Sequence, residues 1–187
     1  VTVLDAGEDD VTHRPYLVME LVEGPTLAEE LRYGALPSDR VAEIGIALAD
    51  GLAYVHSQGL IHRDVKPANV ILPRGRLEEA TLLDFETAAR VGEPYSARVT
   101  ASFAAPERLA GDARADPRAD AFSLGALLFA CAAGRSPFAA ESREASVLRV
   151  LALEPPRLSG LGEDWATAIA ALLAKDPGRR PASLSAA

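Results

Sequence analysis

Cysteine is nearly absent from this sequence. The 187 residues include one cysteine, Cys131, so no disulfide bond can form within the chain. Proteins without disulfides are typical of reducing compartments, and we therefore expect a cytoplasmic location, with membrane anchoring of a longer parent protein left open. Because Cys131 lies in an apolar run, we expect a buried, unreactive thiol.

Long apolar runs and an excess of positive charge are also lacking. The most apolar stretch, residues 121–134, is 14 residues long. A helix of that length is too short to cross about 30 Å of hydrocarbon. Acidic residues outnumber basic ones by 27 to 19, which gives a net charge of −8. This charge argues against a broad surface for nucleic acid or anionic membranes, but it leaves room for a small phosphate pocket.

The sequence does contain enough apolar residues for a soluble core. Hydrophobic residues make up 49% and charged residues 25% of the chain, which is typical of one domain of ordinary size. Residues 1–4 and 16–21 predict two strands joined by a polar turn at residues 7–10. Thr26 is placed to cap a short helix that reaches Tyr33.

Helical periodicity dominates the rest of the chain. A long amphipathic helix is predicted to begin at the candidate cap Ser38 and to end near residues 56–59. Its apolar positions recur at intervals of three and four residues: Val41, Ile44, Leu48, Leu52 and Val55. Further helices are predicted near residues 122–131, 144–153 and 165–173. Residues 86–103 lack periodicity and predict a long loop, and loops of that length are usually functional or mobile.

The most informative local pattern is a short hairpin. Residues 70–72 and 81–83 are brief apolar runs, and residues 73–76 between them contain the proline and glycine typical of a turn. If the runs pair antiparallel, Asn69 before the first run and Asp84 after the second become neighbours. Amide and carboxylate oxygens are hard donors suited to Mg²⁺, so this pair predicts a metal site.

A second pattern lies directly upstream, where residues 62–69 read HRDVKPAN. Pro67 biases Lys66 toward an extended conformation, in which side chains two residues apart point the same way. We therefore expect Asp64 and Lys66 to face one pocket, with the neighbours of Asp64 facing elsewhere. A carboxylate beside a cation and a metal pair suits phosphoryl transfer, where catalysis consists mainly of positioning and charge neutralisation.

These motifs follow one another in a specific order. HRD at residues 62–64, Lys66 and Asn69 are followed by Asp-Phe at 84–85 and by Ala-Pro-Glu at 105–107. This series resembles the protein kinase family, and the surrounding sequence looks most like the bacterial serine/threonine kinases that are similar to eukaryotic ones. The resemblance covers essentially the whole chain. It implies an α+β fold of the protein-kinase type, with a mainly helical C-lobe, a hinge and the last N-lobe strands.

The resemblance also implies roles for individual residues. Asp64 matches the residue that orients the substrate hydroxyl and accepts its proton. Lys66 is similar to the lysine that steadies the γ-phosphate in serine/threonine kinases, and because tyrosine kinases usually differ there, it favours Ser/Thr substrates. Asn69 and Asp84 match the Mg²⁺ ligands. The implied cofactors are ATP and Mg²⁺, and the implied partner is a protein substrate with an acceptor serine or threonine.

The adenine-binding residues are implied in the same way. Residues 16–22 resemble the strand and hinge that hold the base. Met19 matches the gatekeeper, the backbone at Glu20 and Val22 matches the positions that bond adenine, and Ile71 matches the floor beneath it.

Several further matches imply structural roles. His62 is expected to pack against Phe85, and Asp120 resembles a helix aspartate that bonds the backbone of the catalytic loop. Glu107 and Arg180 resemble a buried ion pair that anchors the end of the activation segment.

Residues 84–107 resemble the activation segment. Thr100 matches a family threonine near the substrate site, and Ser96, Thr100 and Ser102 are candidate phosphosites. For Ser96 and Ser102 we weigh this hypothesis against ordinary polar loop residues, which fit at least as well. A phosphate on this loop could pair with Arg63.

The sequence departs from the family at Glu86, because in the family a glycine follows the Asp-Phe pair. Glutamate resists backbone angles that glycine tolerates, and its carboxylate would lie near the metal. We weigh restricted loop switching, weaker phosphate binding or an extra metal ligand against a side chain that simply turns to solvent, and we favour the last.

A larger departure is that the Gly-rich phosphate loop, the strand lysine and its partner glutamate have no counterpart in these 187 residues. The resemblance thus implies the end of the N-lobe at 1–19, the hinge at 20–24, and a C-lobe at 25–187 that is truncated at its C-terminus. We expect the missing motifs upstream. We expect the 187 residues alone to be nearly inactive, because each lost charge-assisted bond to phosphate forfeits about 1.5–3 kcal/mol.

Two alternatives to a protein kinase stay open from the sequence. The first is a pseudokinase-like interaction module without catalysis, which the absent upper-lobe motifs and Glu86 favour and which intact Asp64, Lys66, Asn69 and Asp84 oppose. The second is a small-molecule phosphotransferase similar to aminoglycoside kinases, which generally lack the Ala-Pro-Glu anchor.

Overall fold

An exposed antiparallel strand pair opens the chain. In the computed structural model, which describes residues 1–94, 100–111 and 114–184, β1 (Val3–Glu8) pairs with β2 (Pro15–Met19). The turn was predicted to begin at Gly7, but it begins at Asp9. The reason is that the Asp9 carboxylate accepts the backbone N–H of Thr12 at 2.7 Å. Aspartate often fixes a turn by such local bonds, and Gly7 consequently stays in β1.

The chain then passes from the strand pair to the helices through a close backbone contact. The backbone N–H of Leu72 donates to the Pro25 carbonyl, and that of Arg74 donates to the Glu23 carbonyl, each at 2.9 Å. A Cβ atom on Gly24 would lie 2.0 Å from the Leu72 carbonyl oxygen, so only glycine fits there. Thr26 caps α1 (Leu27–Glu30) through a capping box with Glu29, as predicted for its position.

The long amphipathic helix is α2 (Ser38–Ser57). Its extent agrees with the prediction, but Ser38 is its first helical residue, and Pro37 stands at the cap without a side-chain bond. Proline's fixed φ allows the helix to start here without a side-chain cap. Four of the predicted apolar positions are buried, which confirms the periodicity: Val41, Ile44, Leu48 and Leu52.

The centre of the core is α4 (Pro117–Ala133), against which α2 and α6 (Glu163–Leu172) pack. Asp116 caps α4 by accepting the backbone N–H of Arg118 at 2.8 Å. Cys131 is fully buried on this helix, and burial raises the pKa of its thiol to about 12. The prediction of an unreactive core cysteine is thereby confirmed. The remaining α-helices are α3 (Pro106–Ala110) and α5 (Arg143–Ala152).

Two short strand pairs flank the loop at residues 62–69. β4 (Val70–Ile71) pairs antiparallel with β5 (Thr81–Leu82), which confirms the predicted hairpin. β3 (Leu60–Ile61) pairs with β6 (Ala89–Arg90), which lies in the segment predicted to be a loop. Single 3₁₀ turns are present at Leu31–Tyr33, Pro67–Asn69, Pro73–Gly75 and Pro177–Arg179. The described residues thus form the mainly helical α+β fold that was expected.

None of the helices in the described ranges has the length and apolar character needed to span a lipid bilayer.

Candidate active site

The loop that precedes β4 presents two side chains outward and buries two others. Lys66 is extended, with φ −158° and ψ 160°, as its position before Pro67 predicts. Arg63 and Val65 are buried, whereas Asp64 and Lys66 are half-buried on the opposite side. The predicted alternation around Asp64 is therefore confirmed.

The Asp64 carboxylate is the centre of a polar cluster. Lys66 Nζ contacts Asp64 Oδ2 and donates to Thr100 Oγ1 at 3.2 Å. The Thr100 hydroxyl in turn donates to Asp64 Oδ1 at 3.2 Å. Asn69 Nδ2 donates both to Asp64 Oδ2 at 3.0 Å and to the Asp64 carbonyl at 2.9 Å. Both carboxylate oxygens are therefore held in place, and Asp64 Oδ1 accepts a hydroxyl group.

Asn69 and Asp84 are brought to the same end of the β4–β5 hairpin. The backbone N–H of Leu83 donates to the Asn69 carbonyl at 2.8 Å, so Asp84 follows a residue that is bonded to Asn69. Because Asn69 donates through Nδ2, its amide oxygen is left to act as a ligand. Asp84 is exposed and has a φ of 65°, in the left-handed region that aspartate tolerates better than most residues. These donors suit a hard divalent cation.

Glu86 turns out to need no glycine-like backbone. Non-glycine residues with positive φ in the described part of the chain are His13, Arg63, Arg74 and Asp84. Glu86 is exposed, and its backbone N–H donates to Asp84 Oδ1 at 3.3 Å. Its exposure is in keeping with a side chain that turns to solvent, and the effect of Glu86 on metal or phosphate binding stays a prediction.

Asp120, at the start of α4, holds the loop from beneath. Its carboxylate accepts the backbone N–H groups of His62 at 2.8 Å and Arg63 at 2.9 Å, and it contacts His56 Nε2 at 2.9 Å. Arg63 has a φ of 73°, a left-handed conformation that costs free energy for a residue with a side chain. The bonds to Asp120 offset that cost, which confirms the predicted anchoring role.

His62 is held as a neutral ring. Its Nδ1 accepts the backbone N–H of Asp64 at 3.2 Å, so Nε2 carries the proton that is donated to the Leu83 carbonyl at 2.9 Å. Burial lowers the pKa of His62, against the opposing effect of nearby Asp120. The ring lies 4.6 Å from that of Phe85, edge to face, as predicted. His62 therefore ties the loop to the segment that carries Asp84.

Glu107 and Arg180 form the expected ion pair. Arg180 Nη1 and Nη2 donate to the two Glu107 oxygens at 2.7 and 2.9 Å. The guanidinium also donates to the carbonyls of Ala174, Lys175 and Arg118 at 2.7 to 3.0 Å. The two bonds to Glu107 make the pair bidentate. Because the side chain of Arg180 is fully buried, the pair is also largely withdrawn from water.

The four residues predicted to surround adenine lie in two different settings. Ile71 is buried and forms a β-bridge with Thr26, next to the segment that follows the strand pair. Met19 lies at the end of β2 with 47% of its surface exposed. Glu20 is also exposed and donates its backbone N–H to the Thr2 carbonyl at 2.9 Å, while Val22 is half-buried. Their role in nucleotide binding stays a prediction.

Two residues at the site carry no signal in the sequence. Arg108 is buried and donates to the Arg63 carbonyl, and His56 contacts Asp120 from the end of α2. Neither belongs to a local pattern, because each partner comes from a distant part of the chain. Of the candidate phosphosites, Thr100 joins the Asp64 cluster, Ser102 accepts the Ser136 hydroxyl through its carbonyl, and Ser96 lies outside the described residues.

Comparison with known proteins identifies the family. A family model described as the protein kinase domain matches residues 1–187. The chain belongs to this family. Family membership accounts for the helical body around α4, and it implies the use of ATP and a divalent metal in general terms.

Curated relatives agree with this assignment. Serine/threonine-protein kinase PknJ of Mycobacterium tuberculosis is 38% identical over a match that covers 89% of this chain and 30% of that protein. Serine/threonine-protein kinase PknL of the same species is 34% identical over a match that covers 96% of this chain and 46% of that protein. Serine/threonine-protein kinase PknB of Mycobacterium leprae is 31% identical over a match that covers 96% of this chain and 30% of that protein. The chain spans less than half the length of each relative.

Proposed function

We propose that the protein containing this chain is a serine/threonine protein kinase that transfers the γ-phosphate of ATP to a protein hydroxyl. The observation that carries this proposal is the Asp64 cluster. A carboxylate held by an amide, an ammonium group and a hydroxyl is a preorganised acceptor for an alcohol proton. The kinase names of the relatives support the same reaction.

The reaction requires Asp64 to orient the attacking hydroxyl. The substrate O–H bond breaks as its proton passes to the Asp64 carboxylate, and the oxygen forms a bond to the γ-phosphorus. The bond from that phosphorus to the bridging oxygen of ADP breaks, and ADP leaves with the electron pair. Lys66 lies in contact with Asp64 and offsets the negative charge on the transferred group.

Asn69 and Asp84 would hold the divalent metal, which we propose to be Mg²⁺. When bound, the metal neutralises charge on the nucleotide phosphates. The described residues contain no group of three or more His, Cys, Asp or Glu side chains that could hold a metal ion. Two protein ligands nevertheless fit Mg²⁺, which usually takes one or two protein ligands and fills its remaining positions with phosphate oxygens and water.

We further propose that residues 20–24 form the hinge that binds adenine. Residues 1–19 would be the last part of the N-lobe, and residues 25–187 would belong to the C-lobe. The close contact of residues 23–25 with the chain after β4 supports this division, because it places Ile71 beside the proposed hinge. Met19, Glu20 and Val22 would contact the base from the strand side.

The test is Asp64→Asn in the full-length protein. Asparagine keeps the size of the side chain but offers one acceptor oxygen in place of two and cannot take up the proton, so we expect transfer of radiolabelled phosphate from ATP to a protein acceptor to fall roughly 10²- to 10⁴-fold. Asp50→Asn is the matched control, because Asp50 is exposed on α2. Unchanged turnover by the Asp64 variant, with turnover by the control also intact, would refute the proposed role.

A further inference from the structure

A cavity adjoins the Asp64 cluster on the side of α1 and α4. Its volume is about 420 Å³, and Lys66 and Thr100 form part of its wall. These same two residues contact Asp64, so the cavity is continuous with the place where the acceptor hydroxyl is proposed to bind. Its volume falls within the range of about 300–1,000 Å³ that is typical of binding sites.

The lining of the cavity is mostly apolar. Six apolar residues from four segments of the chain contribute to it: Ala28, Leu31, Pro67, Ala68, Phe103 and Ala130. The charged residues of the lining are Lys66 and Arg135, and no carboxylate from the described residues is among them. An apolar side chain placed here would leave water without losing hydrogen bonds. A lysine or arginine would lose its hydration beside Arg135 and would meet no free carboxylate in the described lining, because Asp64 is already paired with Lys66.

The space exists because small residues stand where the surrounding elements converge. Ala28 on α1, Ala68 in the 3₁₀ turn and Ala130 on α4 each contribute no more than a methyl group. Gly134, which follows α4, contributes no side chain. Protein interiors are ordinarily filled to crystal-like density, so an open, largely apolar space beside a polar cluster is suited to a group from another molecule.

We propose that this cavity receives an apolar side chain of the protein substrate, close in sequence to the serine or threonine that is phosphorylated, and that it disfavours lysine and arginine at that position. The proposal rests on the proposed function, since it takes Asp64 as the point to which the acceptor hydroxyl is directed. An extended chain advances about 3.3–3.6 Å per residue, so the occupant lies within a few residues of the acceptor.

The first experiment is a positional scan with the full-length protein. Peptides that share one acceptor serine carry leucine, arginine or glutamate at each flanking position in turn, and phosphate transfer is measured as kcat/KM. We expect one position at which leucine exceeds arginine by roughly 10- to 100-fold, the gain that corresponds to burial of one such side chain.

Substitution of the cavity wall should reverse this preference. Ala68 is exposed at the cavity rim, so Ala68→Glu can be made without crowding the core. The new carboxylate should lower kcat/KM for the leucine peptide and raise it for the arginine peptide at the same position. Ala133→Glu is the matched control, because Ala133 is exposed on α4 and is not among the described residues that line this cavity. The control should keep the preference of the unmodified protein.

A binding measurement separates this proposal from the proposed function. Peptides in which alanine replaces the acceptor serine are labelled, and their affinity is measured by fluorescence anisotropy. Tighter binding of the leucine peptide than of the arginine peptide, lost in Ala68→Glu, supports the cavity proposal even if no phosphate is transferred. Equal affinities and equal rates for leucine, arginine and glutamate at every position overturn it, even if phosphate transfer to serine is robust.

Discussion

The strand pair at residues 1–20 and the loop at residues 62–69 are organised by opposite means. All of the first twenty residues are exposed, including large apolar ones such as Leu4 and Leu17. In the loop, His62 and Arg63 are buried, and their backbone N–H groups are bonded to Asp120. The strand pair is held chiefly by its own ladder, whereas the loop is fixed by contacts from several helices.

This difference bears on how each half of the proposed site is preorganised. The proposed positioning of the acceptor hydroxyl depends on Asp64, whose carboxylate is restrained by Lys66, Thr100 and Asn69. Met19 and Glu20, which we propose to lie on the nucleotide side, have no comparable restraint from burial. Two-stranded hairpins are marginally stable in isolation, so we expect the strand pair to tolerate change and the helical body to resist it. The predictions below test this contrast.

The largest effect is expected for Arg180→Met. Loss of the guanidinium leaves the Glu107 carboxylate without its bidentate partner and removes donors from three carbonyl groups. Breaking a buried pair by removing one partner typically costs about 3–5 kcal/mol. The free energy of unfolding, measured by chemical denaturation, should fall by that amount. Arg143→Met on α5 is the matched control, since Arg143 is exposed, and an equal loss in both variants would contradict the prediction.

A smaller loss is expected for Asp120→Asn. One amide oxygen cannot replace the two carboxylate oxygens that accept the N–H groups of His62 and Arg63. Leaving one buried donor unsatisfied costs about 1–3 kcal/mol, so denaturation should show a decrease of that size. Phosphate transfer should also fall, because Arg63 would no longer be held in its left-handed conformation. Full stability and full transfer in the variant would show that Asp120 does not anchor the loop, and Asp50→Asn again serves as the exposed control.

The third prediction concerns pH. Burial lowers the pKa of His62 below its ordinary value of 6.5. Above pH 6.5 the ring is neutral in both the folded and unfolded states, and its contribution to stability is fully present. As the pH falls below 6.5, the unfolded chain gains a proton that the folded protein resists, so the free energy of unfolding should decrease.

His62→Phe provides the comparison for this titration. Phenylalanine retains the ring contact with Phe85 but loses the bonds to Asp64 and Leu83, so the variant should be less stable at neutral pH. Its stability should depend less steeply on pH between 6.5 and 5, as measured by denaturation at each pH. Identical pH dependence in both proteins would rule out His62 as the titrating group.

The sequence predicted the parts of this molecule that depend on local patterns. The spacing of Val41, Ile44 and Leu48 defined the buried face of α2, and Pro67 explained why Lys66 is extended. The pairing of β4 with β5 followed from two short apolar runs and the turn between them. In each case the residues that determine the structure are close together in the chain.

Features that depend on distant residues could not be predicted in this way. β3 and β6 contain two residues each, which is too few to show a period, and each strand is completed by the other. The first turn is an exception, because its signal is local. The Asp9 carboxylate also bonds the Thr12 hydroxyl, but Gly7 suggested an earlier turn. Arg108 reaches the loop only through the fold. The roles of Asp64 and Asp120 were predicted from a family resemblance rather than from local physics.

The smallest effect is expected in the strand pair. Leu17 is 54% exposed on β2, so Leu17→Ala removes few buried contacts and should change the free energy of unfolding by about 0.5 kcal/mol or less. Leu52 is fully buried on α2, and the same substitution there should cost about 2–5 kcal/mol, because it leaves a cavity in the core. The free energy of unfolding of each variant is measured by chemical denaturation and compared with that of the unmodified protein. A loss at Leu17 as large as that at Leu52 would mean that the apolar surface of the strand pair is covered in the full-length protein. The contrast between an exposed strand pair and a buried loop would then hold for these 187 residues but not for the full-length protein.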